Sequence, residues 1–156
     1  MKTPLGDKWN DNYSRYNEKK VPEAWIMCPP FGDLIDVGDT CFVPMKTPLG
    51  DKWNEYLYDK HQFTPAMIAR EMKKRGKRIT CIFSFANSNI RYDSSDLRVT
   101  CGEDTYDIKQ FWIRCDKEAP DEAKFRIFLD DFNSLKLGTN DIVGIHCTHG
   151  FNRTGF

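Results

Sequence analysis

The chain has 156 residues, with 23 Lys and Arg against 23 Asp and Glu, and is 40% hydrophobic and 13% aromatic. That length supports one domain with a real core and is short for two, and the composition is globular rather than disordered. The net charge of zero gives no overall field to draw in a polyanion, so a nucleic-acid contact would rely on a local basic patch.

No apolar run approaches a membrane span, and residues 1–7 lack the apolar core of a signal peptide, which points to an intracellular protein with no membrane partner. The six cysteines (Cys28, Cys41, Cys81, Cys101, Cys115, Cys147) show neither the close pairs of a zinc site nor the density of a secreted scaffold. No metal or other cofactor is implied.

Residues 1–20 are polar, spotted with aromatics and without periodicity, and read as a mobile N-terminal arm. Its first ten residues, MKTPLGDKWN, recur letter for letter at 45–54, either as a duplication or as an artefact of sequence assembly. One such pair is not a solenoid, which needs several stacked units. The second copy continues Cys41-Phe42-Val43-Pro44 and has the better claim to a folded position. A single domain is expected over 21–156. Trp25 and Phe42 read as core aromatics, and Lys46 as a solvated lysine or a phosphate contact.

Residues 63–76 carry Thr64 at an N-cap, Pro65 at the first helical position, Met67, Ile68 and Met72 as an apolar face, cations in the last turn and Gly76 as a stop, and so predict a helix. Its basic end, Lys73, Lys74, Arg75, Lys77 and Arg78, could follow an RNA backbone or simply be a solvated helix terminus. Residues 78–85 read as an internal strand, followed by a loop at the end where open α/β sheets place ligands. Residues 104–114 predict a further strand. Asp116, Glu118 and Asp121 are acids in the next loop, of which Asp121 and Glu122 suit a helix N-terminus. Residues 120–135 then show Phe125, Phe128, Leu129, Phe132 and Leu135 as an amphipathic stripe, expected to be core.

Gly138-Thr139-Asn140 marks a turn, and Asp141-Ile142-Val143-Gly144-Ile145 a strand buried on both faces. Cys147 therefore sits where a central strand ends. Five residues including Gly150 separate it from Arg153, the spacing of a loop that curls round a tetrahedral anion with its N–H groups inward. Thr148, His149, Gly150, Phe151, Asn152 and Arg153 form that phosphate cradle. Loop dipoles and Arg153 would lower the Cys147 thiol pKa below about 8.5 and make it a nucleophile. The planar fork of Arg153 suits two phosphoryl oxygens, and the Thr154 hydroxyl can bond the thiolate.

The run His146-Cys147-Thr148-His149-Gly150-Phe151-Asn152-Arg153-Thr154-Gly155-Phe156 resembles the cysteine-phosphatase signature. Its interior is similar to the metal-independent RNA 5'-triphosphatase domain of metazoan mRNA-capping enzymes and to the related RNA-polyphosphate phosphatases. Residues 21–29 and 42–49 resemble the opening segment of that domain, and the loop after residue 85 resembles its Asn- and Arg-containing turn. The family usually has an aspartate on which its catalysis depends where this chain has Ser84.

The resemblance implies an α/β fold with a mostly parallel sheet flanked by helices, and removal of the γ-phosphate from 5'-triphosphate RNA in the nucleus, the first step of mRNA capping. Cys147, Arg153 and Thr154 would be catalytic. A guanylyltransferase domain or the RNA polymerase II machinery would be partners; no lysine-x-aspartate-glycine motif for the former occurs here. Two other readings are a dual-specificity protein tyrosine phosphatase using the same cysteine, and a non-catalytic fragment or paralogue that binds phosphorylated ends. Because the chain ends two residues after Thr154, the expectation is a domain truncated before its C-terminal helices and poorly active alone.

Overall fold

The computed structural model describes residues 21–88, 91–115 and 120–147. The arm at 1–20, the acids Asp116 and Glu118, and the loop residues Thr148, His149, Gly150, Phe151, Asn152, Arg153 and Thr154 lie outside the described residues.

In chain order the elements are α1 (Glu23–Met27), β1 (Ile35–Val37), β2 (Thr40–Met45), two 3-10 turns (Asp51–Tyr56 and Asp59–His61), α2 (Pro65–Lys74), β3 (Arg78–Ser84), β4 (Arg98–Cys101), β5 (Asp104–Asp107), β6 (Lys109–Trp112), α3 (Glu122–Asn133) and β7 (Asp141–His146). Five strands form one sheet in the order β1-β2-β7-β3-β6, parallel except for the antiparallel edge strand β1. The fold is α/β with a mostly parallel sheet, as expected.

The last strand in sequence, β7, is inserted between β2 and β3, so both of its edges are paired and its side chains meet both faces of the sheet. That is why residues 141–145 are so apolar and why Gly144 is small: a Cβ there would lie 2.7 Å from Met45 Cε and 3.0 Å from Ile79 Cδ1. The connection from β2 to β3 steps one way across β7 and the connection from β6 to β7 steps back. Right-handed crossovers then require the intervening helices to lie on opposite faces, and the packing agrees. Ile68 and Met72 of α2 join Val43, Met45, Ile79, Ile82 and Ile142 in one core, while Phe128 and Phe132 of α3 pack against Cys81, Phe83, Phe85 and Val143 on the other side.

The ends of α2 follow the sequence signals closely. The Thr64 hydroxyl accepts from Met67 N at 3.2 Å, and Pro65 opens the helix where no N–H is needed. At the far end Lys77 N donates to Met72 O and Gly76 N to Lys73 O, the paired bonds of a Schellman motif, with Gly76 at φ 74°.

Two expectations change. Residues 104–114 form two strands in different sheets: β5 pairs with β4 in a hairpin closed at Gly102 (φ 64°), and β6 joins β3. The chain changes sheet at the buried Ile108, whose N–H bonds Leu97 O, and because side-chain alternation runs on through that point, pattern alone cannot see the break. The stripe of α3 is also less buried than expected. Phe128 stacks edge-on against Phe83 at 4.7 Å and Phe132 meets Phe42 at 5.7 Å, but Phe125 and Leu129 remain 47% and 37% exposed. Phe128 and Phe132 are one turn apart and mark the line along which α3 touches the sheet; the flanks of the stripe fall outside that line.

The duplicated segment resolves in part. Residues 45–54 run from the end of β2 into the first 3-10 turn with Leu49 and Trp53 in the core, while the copy at 1–10 is outside the described residues.

Candidate active site at the end of β7

Cys147 follows β7 directly and is 3% exposed. It lies at the C-terminal edge of the parallel strands, flanked by the ends of β2 and β3, where Met45 and Ser84 both register with His146. Such an edge between strands whose connections depart in opposite directions is where open α/β sheets place their ligands.

The backbone at this point is held by a chain of buried polar groups. Gln110 Nε2 donates to the Tyr92 hydroxyl at 3.0 Å, and Tyr92 is 2.7 Å from His146 Nε2. The other ring nitrogen, Nδ1, is 3.1 Å from Cys147 O and 3.2 Å from Thr47 Oγ1, and the Thr47 hydroxyl donates to the same Cys147 carbonyl at 2.5 Å. One assignment satisfies every bond: Tyr92 donates to Nε2, and a neutral His146 carries its proton on Nδ1 and gives it to Cys147 O. Burial raises the Tyr92 pKa, which keeps the phenol a donor. The result is a cysteine whose carbonyl is pinned by two donors.

Burial pulls the His146 pKa down to about 4, against a smaller upward effect of its bond to the Cys147 backbone. The unfolded chain takes up this proton near pH 6.5 and the folded chain only near pH 4, so the stabilisation is full above 6.5 and is lost as pH falls through that window. The loss should approach roughly 3 kcal/mol by pH 4. Urea midpoints across this range should fall steeply for the native chain and less steeply for His146→Asn; equal slopes would place the acid sensitivity elsewhere.

Lys46 is not solvated. It is 3% exposed, its Nζ donates to Trp25 O and Cys28 O at 2.9 Å each, and it lies 3.7 Å from the Trp25 ring centroid. Burial lowers its pKa to about 8, so it remains cationic at neutral pH. Burial also raises the thiol pKa of Cys28 and Cys41, and takes Cys81 to about 12.

The basic cluster of α2 and β3 lies at the other edge of the sheet, since Arg78 registers with Asp141 at the start of β7. Four of its five members are engaged locally: Lys73 with Cys101 O, Lys74 and Arg75 with Glu71, and Arg78 with Asp104 and the Tyr106 ring. A path for RNA from this cluster to Cys147 would have to cross the length of the sheet. A cleft of about 420 Å³ between Lys73, Lys77, Arg78, Asp104 and Asp141 is at that remote edge too.

Of the acids, Asp121 caps α3 by accepting from Lys124 N at 2.9 Å. Asp93 accepts from the Ser95 hydroxyl, which lowers its pKa and suits it poorly to donating a proton. Ser84 is 1% exposed at the end of β3, beside His146. Thr47 and Tyr92 lie in stretches whose resemblance to the family marks the segment but not the residue, and Gln110 carries no sequence signal beyond being a polar residue in an apolar run. Among the described residues no cluster of three His, Cys, Asp or Glu is placed to hold a metal ion, and no helix is long and apolar enough to cross a membrane.

No protein-family model matches the chain. It is 29% identical over 142 residues to an mRNA-capping enzyme of Mus musculus and 32% identical over 138 residues to one of Caenorhabditis elegans, covering 88% and 87% of this chain. The chain is a homologue of mRNA-capping enzymes. It spans about a fifth of the length of these capping enzymes, 22% and 21% respectively. The capping-enzyme similarity is joined by a weaker one to the RNA/RNP complex-1-interacting phosphatase of Homo sapiens, 25% identical over 139 residues, 87% of this chain and 40% of that protein.

Proposed function

We propose that this chain is a cysteine-dependent, metal-independent RNA 5'-triphosphatase that removes the γ-phosphate from nascent transcripts. The observation that carries the reading is Cys147 at the C-terminal end of the central strand, its carbonyl fixed by Thr47 and His146, in a chain homologous to capping enzymes. The Cys147 thiolate attacks the γ-phosphorus, the new S–P bond replaces the bond to the β-phosphate oxygen, and the RNA leaves with a diphosphate end. Water then cleaves the cysteinyl-phosphate and restores the thiol. In this reading Arg153 and the amides of residues 148–153 hold the phosphoryl oxygens and Thr154 bonds the sulfur. A diphosphate end is a weakly basic leaving group, which lessens the need for a general acid and for the aspartate that Ser84 replaces. A guanylyltransferase domain, the RNA polymerase II machinery and a nuclear site of action belong to the same proposal.

A second reading has one observation of its own: 25% identity over 141 residues to a probable tyrosine-protein phosphatase of Caenorhabditis elegans. Phosphate release from triphosphate-ended RNA and from a phosphotyrosine peptide, without added magnesium, separates the two. The RNA should be the better substrate by at least about tenfold in kcat/KM, a difference of roughly 1.4 kcal/mol in transition-state binding. A preference for the peptide would transfer the chain to the protein phosphatases.

A further inference from the structure

The C-terminal edge of the sheet also carries an aromatic side chain that no step above uses. Trp112 ends β6 and is 44% exposed, although it is among the largest apolar side chains in the protein. Its indole N–H donates to Ala86 O at 2.9 Å, so the ring is fixed at one edge and leans over the end of β3. The neighbouring Phe85 N donates to His146 O at 2.8 Å, which ties the same segment to the residue preceding Cys147. Ser84 registers with Trp112 on one side and His146 on the other. With strands about 4.8 Å apart, the Trp112 and His146 backbones are about 10 Å apart across the sheet edge.

Two residues on, the exposed Arg114 is anchored through Nε to Asn87 Oδ1 at 3.2 Å, a bond that uses one of the five N–H donors of its guanidinium. A preorganised aromatic face beside a cation, one strand removed from the nucleophile's strand neighbour, is the pairing that binds single-stranded nucleic acid: a base stacks on the ring and the cation meets phosphate. Trp112 registers with Ser84 and His146 and leaves the sheet on their face, whereas Cys147 packs with Phe83 and Val143 on the other, so an RNA held at both would pass over the C-terminal end of β3, a path open to the triphosphate and ribose that separate its terminal phosphorus from its first base.

We propose that Trp112 is the stacking platform for the 5'-terminal base of the RNA, with Arg114 contacting the phosphates between that base and Cys147. The inference rests on the triphosphatase reading and adds to it a determinant of substrate recognition. It also gives a net-neutral protein a local means of holding RNA on the correct edge of the sheet, which the α2 cluster does not provide.

The test compares triphosphate-ended RNA with inorganic tripolyphosphate, which has the phosphates and no base. Trp112→Ala should raise KM for the RNA about tenfold more than KM for tripolyphosphate, as expected when one stacked base is lost, and Trp112→Phe should recover most of the difference. Arg114→Ala should weaken RNA binding and reduce its salt dependence. Thermal melting of each variant identifies any loss through misfolding. A wild-type chain active on triphosphate ends, with Trp112→Ala changing both substrates equally or neither, would overturn the stacking platform alone. Phosphate release from neither substrate by the protein extended past Phe156 would overturn the triphosphatase reading and this inference with it.

Discussion

Trp25→Ala should destabilise the protein by about 3–5 kcal/mol, the range for truncating a fully buried aromatic residue. Trp25 is 0% exposed, and its side chain does three things at once. It fills the core beneath β2, its indole N–H donates to Thr47 O at 2.8 Å, and its ring covers the buried ammonium of Lys46 at 3.7 Å. Alanine would leave a cavity, a Thr47 carbonyl without its donor and a buried cation without its aromatic cover, and each change acts in the same direction. Because Thr47 also holds Cys147 O, the damage should reach the proposed nucleophile and lower turnover along with stability. Trp25→Phe keeps a ring and loses the N–H, and should cost less. Urea denaturation measures both; a loss below about 1 kcal/mol for Trp25→Ala would mean that the site collapses onto the space with little penalty.

The parts of this fold that were legible in the sequence are those specified within a few residues. Thr64, Pro65 and Gly76 mark both ends of α2 because capping chemistry is local, and the apolar run 141–145 betrays a strand with two neighbours because both of its faces must be buried. The placement of Cys147 at the end of that strand followed from the same run. What was hidden depends on residues far apart in the chain. His146 meets Tyr92 across 54 positions and Thr47 across 99, and no spacing pattern connects them. Lys46 looks like any surface lysine until α1 brings the carbonyls of Trp25 and Cys28 over it. The division of 104–114 at Ile108 was hidden for a different reason, since two short strands in succession keep the period of one long strand. The exposed flank of α3 was overestimated as core because periodicity reports which side of a helix is apolar and not how wide a contact it finds.

The role assigned to Cys147 can be tested by trapping the covalent intermediate. RNA labelled at the γ-phosphate, mixed with the protein and quenched in acid within the first turnover, should leave label on the protein, and peptide mapping should place it on Cys147. The other thiols whose pKa values burial raises, Cys28, Cys41 and Cys81, should stay unlabelled. Cys147→Ser should abolish the label and reduce turnover by at least about 10⁴-fold, because a serine hydroxyl in the same position is a far weaker nucleophile. Phosphate release by the native chain with no label on Cys147, or turnover surviving in Cys147→Ser, would contradict the account.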